Sequence, residues 1–137
     1  MKRTFTLLVA LLTSAACLFA SESITLSTGA TLEIFKADAD KANGCAIIAC
    51  PGGGYAYRAD EKEGTAWADY MNERGFTYAV LKYTCPPTSP SGPLTDGRAA
   101  MKYLRDNAAT LHIDQHKRQL GHHGKSQGLA LESKSGS

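Results

Sequence analysis

Apolar and polar positions alternate twice near the start of the chain, in Ile24-Thr25-Leu26 and again in Thr31-Leu32-Glu33-Ile34-Phe35, with Thr28-Gly29 between them. Period-two patterning on both sides of a turn signal predicts a β-hairpin over 23–38. After a polar segment, Cys45-Ala46-Ile47-Ile48-Ala49-Cys50 is unbroken in its apolar character and is stopped by Pro51-Gly52-Gly53-Gly54. A short continuous run of this kind fits a strand buried on both faces of a parallel sheet. Ala66, Trp67, Tyr70 and Met71 then recur at helical spacing, which predicts a helix over 61–74 with Gly75 as its stop. A second apolar strand is expected over 76–83.

Residues 84–93 contain four of the five prolines and therefore form a loop. Pro93 opens an amphipathic helix over 94–111, with Ala99, Ala100, Tyr103, Leu104 and Ala108 on one stripe. Strand, helix, strand, helix in this order is the alternation of a layered α/β fold. A further buried strand should follow, yet the chain continues His116-Lys117-Arg118-Gln119-Leu120-Gly121-His122-His123-Gly124. Burying two imidazoles without partners costs about 1–3 kcal/mol each, so a central strand of this composition is disfavoured. A frame slip or truncation near 119–123 is the expectation drawn from that break, since a neighbouring frame can restore an apolar ending.

The ends and the composition narrow the class. Lys2 and Arg3 precede an apolar run over 5–12 and small residues up to Ala20, the layout of a secretory signal peptide over 1–20, with a partial domain over 21–137. A periplasmic or secreted location follows; the alternative is a lipid anchor at Cys17, after Ser14-Ala15-Ala16. With 43% hydrophobic residues and a net charge of +2, the chain is an ordinary globular protein, and nucleic acid is not an expected partner. Cys45, Cys50 and Cys85 would remain after cleavage; their spacing allows one disulfide and a free thiol, or three buried thiols.

Gly124-Lys125-Ser126-Gln127-Gly128 is a Gly-x-Ser-x-Gly, a pattern that fits a strained elbow exposing a nucleophilic serine and also a polar C-terminal tail. It is not a nucleotide-binding P-loop, because the first glycine of that motif would fall at position 119, which is Gln119. His112 and His116 stand at helical spacing and His122-His123 follow, but no carboxylate or thiol completes a zinc pattern, so neither metal nor cofactor is expected. A glycine triplet directly after a buried strand lets backbone N–H groups approach a substrate without Cβ obstruction, as an oxyanion site requires.

Pro51-Gly52-Gly53-Gly54-Tyr55, Glu63-Gly64, Asn72-x-x-Gly75, Leu81-Lys82-Tyr83, Pro93-Leu94-x-Asp96 and Arg105-x-x-Ala108 together resemble the N-terminal half of a bacterial α/β-hydrolase of the acetyl-esterase and acetyl-xylan-esterase type. The resemblance covers about 47–114. It implies the N-terminal part of a three-layer α/β-hydrolase fold, with a hairpin and then βαβα leading to a nucleophile elbow. It implies Ser126 as nucleophile and the N–H groups of Gly53, Gly54 and Gln127 as oxyanion donors. The substrate class implied is a small-molecule or polysaccharide ester. Gln127 and Leu129 depart from the small residues of the family elbow. The family places its Asp or Glu and its His after the serine, and the sequence ends at Ser137, so an incomplete triad and an inactive chain are expected. A non-catalytic fragment or a domain that needs a partner is the competing expectation. Glu61 to Glu63 are expected to open the first helix and Asp96 to favour the start of the second, in structural roles.

Overall fold

The fold is built around an inner strand that comes last among the described strands. In the computed structural model, which describes residues 20–115, β1 (Ser21–Thr25), β2 (Thr31–Phe35), β3 (Ala46–Ala49) and β4 (Thr77–Lys82) form one sheet in the order β1-β2-β4-β3. The hairpin is present: β1 and β2 pair antiparallel, and Leu26 N–H donates to Ala30 C=O at 2.8 Å to close the turn. β2 pairs antiparallel with β4, and β3 lies parallel to β4 with Ala46 opposite Thr77 and Ala49 opposite Val80. The sheet is therefore mixed, with the parallel pair that the continuous apolar runs predict.

Side chains alternate across β4, and each face has its own core. Ala79, Leu81 and Tyr83 join Leu32, Ile34 and Ile48 under α2 (Gly92–Asp106), which contributes Ala100 and Leu104. Tyr78 and Val80 join Ala49 on the opposite face beneath α1 (Ala68–Glu73), which contributes Ala68, with Trp67 and Met71 at the margin. Leu32, Ile34, Val80 and Leu81 are fully buried, each contributing about 1.5–3 kcal/mol of transfer free energy.

Two expected helices differ in extent. The first is not helical from position 61: successive turns run to Gly64, a 3₁₀ turn spans Thr65–Trp67, and only Ala68–Glu73 is α-helix. The cause is packing, because Gly64 lies against Pro51 and Val80 and its backbone takes φ −127° and ψ −94°, outside the helical region. The second helix ends at Asp106, where Asn107 caps Tyr103 C=O through Nδ2 at 2.9 Å, and turns continue to Leu111.

The segment leaving α2 closes the amino end of the sheet. Thr77, 1% exposed, donates its hydroxyl to Leu111 C=O at 2.8 Å and accepts Ala37 N–H at 3.3 Å. His112 Nδ1 lies 3.0 Å from Ala37 C=O, and Ile113 bridges Gly44 in the parallel sense, with Asp114 N–H donating to Gly44 C=O at 2.8 Å.

Candidate active site

β3 and β4 are neighbours whose outgoing chains diverge, one toward the α1 face and the other toward the α2 face. Adjacent parallel strands with diverging connections leave a crevice at their carboxyl ends, the usual ligand position in open α/β sheets. The glycine triplet occupies the β3 side of that crevice. Gly53 (φ 148°), Gly54 (φ 62°) and Tyr55 (φ 62°) follow one another with positive φ. A Cβ on Gly53 would stand 2.1 Å from Tyr57 C=O, so this position tolerates only glycine; at Gly54 the space is open and the φ alone favours glycine.

The peptide planes of this loop are held one after another. Pro51 C=O accepts the Tyr83 hydroxyl at 2.6 Å, and Gly52 N–H, in the same peptide unit, donates to Glu63 Oε2 at 2.8 Å. Gly52 C=O accepts Ala59 N–H at 2.9 Å, and Gly53 C=O accepts Ala56 N–H at 3.2 Å. A trans peptide places its N–H opposite its C=O. Bonding the Gly52 and Gly53 carbonyls into the turn therefore aims the next two N–H groups, those of Gly53 and Gly54, away from it. Neither donates to an acceptor among the described residues. Two consecutive open N–H groups on a left-handed turn are an anion-binding arrangement.

The loop after β4 braces this turn. Arg58 donates to Tyr83 C=O at 2.5 Å and pairs with Asp60 at 3.0 Å, while Cys85 Sγ lies 3.3 Å from Tyr55 C=O as its donor. Asp96, 2% exposed, accepts Thr84 N–H at 2.8 Å. The carboxylate is thus used by the loop that precedes α2, a more specific role than the general helix-terminus effect expected of it. Burial first, then the neighbouring Cys85, Cys50 and Tyr55, pushes the Tyr83 phenol up to about 12 against the opposing Arg58. It remains protonated near neutral pH and donates to Pro51. Burial also raises the Cys50 thiol to about 11, which withholds the thiolate a nucleophile needs. Cys45, Cys50 and Cys85 are free thiols, all half-buried.

Of the residues singled out from sequence, Gly53 and Gly54 lie in this turn. Ser126 and Gln127 lie outside the described residues, as do His116, His122, His123, Cys17 and the expected signal peptide. His112 sits beside Ala37 at the amino ends of the strands, remote from the glycine turn. Among the described residues no three His, Cys, Asp or Glu side chains gather as a metal-binding group. Glu63 was expected to begin a helix; instead it reaches back eleven positions to Gly52. The pair Glu63-Gly64 was visible as a motif, but its role depends on a turn conformation that periodicity does not report. Tyr83 stood out only within the Leu81-Lys82-Tyr83 motif and Cys85 only as a thiol, neither with the role it has here, and Arg58 carried no signal.

The comparisons with known proteins agree with this fold. No protein-family model matches the chain. The acetylxylan esterase of Xylanibacter ruminicola is 32% identical over 72 residues, 53% of this chain and 15% of that protein. The crystal structure of an acetyl ester-xyloside bifunctional hydrolase from Caldicellulosiruptor lactoaceticus is 30% identical with a TM-score of 0.61, covering 69% of this chain and 34% of that one. An α/β-hydrolase from a Medee basin deep-sea metagenome is 27% identical with a TM-score of 0.61, covering 74% and 46%. The chain thus spans less than half the length of each of these relatives. Its fold is the N-terminal part of an α/β-hydrolase, and its sequence similarity is to esterases of that fold.

Proposed function

We propose that this chain, an N-terminal portion of the esterase-type α/β-hydrolase fold, supplies the oxyanion site and the nucleophile of an exported serine esterase acting on acetyl or other short acyl esters of carbohydrates. The observation that carries the reading is the pair of open N–H groups at Gly53 and Gly54, held on a turn whose Pro51, Gly52 and Gly53 carbonyls are engaged. Such donors, fixed before substrate arrives, stabilise the charge that develops in acyl transfer; one donor is worth about 2.7–4 kcal/mol in characterised cases.

In the proposed reaction Ser126 Oγ attacks the ester carbonyl carbon while its proton passes to solvent water, so that acylation of this chain is slow. The carbonyl electron pair moves to oxygen, where the N–H groups of Gly53, Gly54 and Gln127 receive it. Collapse of the tetrahedral species breaks the bond to the alcohol, which leaves with a proton, and water then releases the acid from acyl-Ser126. No residue of this chain is assigned as the base or its orienting carboxylate. Tyr57, 64% exposed with a ring carbon near Gly53, offers an amphipathic face to a sugar alcohol.

The test is acylation of the full chain by 4-nitrophenyl acetate, followed by intact mass and peptide mapping. One acetyl group on Ser126, absent from Ser126→Ala, is the expected result. Unchanged labelling in Ser126→Ala removes that serine from the mechanism.

A further inference from the structure

We infer that Glu63 is the positioning residue of the glycine turn: its carboxylate takes the Gly52 N–H and so determines that Gly53 and Gly54 present the two donors. The inference rests on reading that turn as an oxyanion site. Three consecutive peptide units decide where the donors point. The second and third are set by backbone bonds within the turn, from Ala59 to Gly52 C=O and from Ala56 to Gly53 C=O. The first unit, between Pro51 and Gly52, is set only by side chains, the Tyr83 hydroxyl on its C=O and Glu63 Oε2 on its N–H. Removing Glu63 releases one side of that unit, from which the rest of the turn is suspended.

The reach is also fixed from the other end. A Cβ on Gly64 would meet Asp60 C=O at 2.3 Å and Pro51 Cγ at 3.2 Å, so the backbone next to Glu63 lies directly against the base of the turn. Tyr78 holds Gly64 C=O through its hydroxyl at 3.0 Å. From that anchored position a glutamate reaches Gly52; an aspartate is one methylene short. A charged acceptor gives a stronger bond than a neutral one, and it also places a negative charge behind the oxyanion site. That second effect opposes anion binding, so charge and positioning predict opposite outcomes when Glu63 is changed.

The experiment uses the ¹⁵N-labelled full chain titrated with sodium acetate, the product of the proposed reaction, against sodium chloride at equal ionic strength. Saturable downfield shifts of the Gly53 and Gly54 amide protons are expected. Glu63→Ala should weaken acetate binding by about tenfold, the equivalent of one good hydrogen bond, and abolish protection of the Gly52 amide from exchange. Glu63→Gln, which keeps an acceptor and loses the charge, should restore binding to the wild-type level or tighter. If both variants bind more tightly, Glu63 acts through charge alone and the inference is overturned; equal binding by Glu63→Ala overturns it as well. Should Glu63→Ala lose its folded spectrum, Glu63→Asp replaces it, with weaker binding expected and unchanged binding as the refuting result. Absence of any saturable shift in the wild type overturns the oxyanion reading itself, and this inference with it.

Discussion

Replacing Thr77 by valine removes one hydroxyl from a buried junction and leaves its shape nearly unchanged. That hydroxyl donates to Leu111 C=O at 2.8 Å and accepts Ala37 N–H at 3.3 Å, joining the exits of β2 and α2 to the start of β4. In the valine variant both backbone groups stay buried with one partner fewer, at about 1–3 kcal/mol each, and the longer bond belongs at the lower end of that range. The expected loss is therefore about 2–4 kcal/mol, a large part of the stability of a small domain. Thr77→Ser keeps the hydroxyl and loses one methyl group, so it should cost about 1 kcal/mol. Urea unfolding of the full chain followed by circular dichroism gives both values, and the slope should match the wild type because the surface exposed is the same. Amide exchange at Ala37 should accelerate in the valine variant only. If valine and serine variants agree within about 0.5 kcal/mol, the hydroxyl does not hold this junction.

Other outcomes follow from the site. Gly53→Ala combines an unfavourable φ with a backbone clash and should cost about 2–4 kcal/mol by thermal melting, whereas Gly54→Ala, with open space, should cost about 1–2 kcal/mol. Asp96→Ala leaves the Thr84 N–H without its acceptor and should cost about 1–3 kcal/mol in urea, while Asp96→Asn should recover most of it. Tyr78 and Tyr83 are raised from 10 to about 12 and Cys50 from 9 to about 11, all chiefly by burial. The folded state therefore holds protons that the unfolded chain releases, so stability should be level below about pH 9 and fall as pH rises toward 12. A denaturation series across that window checks the sign, and Tyr83→Phe should make the decline shallower.

The hairpin, the two apolar strands and the proline loop were legible because each depends on local periodicity and turn chemistry, which a sequence displays directly. Gly53 and Gly54 were legible as a tight turn for a related reason: glycines directly after a buried run permit the positive φ that both adopt. The first helix was overextended because Ala66 and Trp67 keep helical spacing while Gly64 must pack against Pro51 and Val80, a contact made across the fold. Glu63 was misassigned by the same kind of long-range effect. Its neighbours in sequence point to a helix start, and its partner, Gly52, is brought to it by the turn between them. Asp96 shows the intermediate case, with a structural role expected and a different partner found.

β4 comes last among the described strands yet lies inside the sheet, with β2 on one side and β3 on the other. During synthesis the hairpin and β3 thus emerge before the strand they share. At about 5–20 residues per second, a few seconds pass between release of Phe35 and release of Lys82. Throughout that interval the edge of β2 that later meets β4 is open, and Leu32 and Ile34 have no opposite layer. Neither core can close until Tyr78, Ala79, Val80 and Leu81 have left the ribosome. Closure of both cores accordingly waits for β4, and a pause in translation before position 77 is expected to prolong exposure of Leu32 and Ile34.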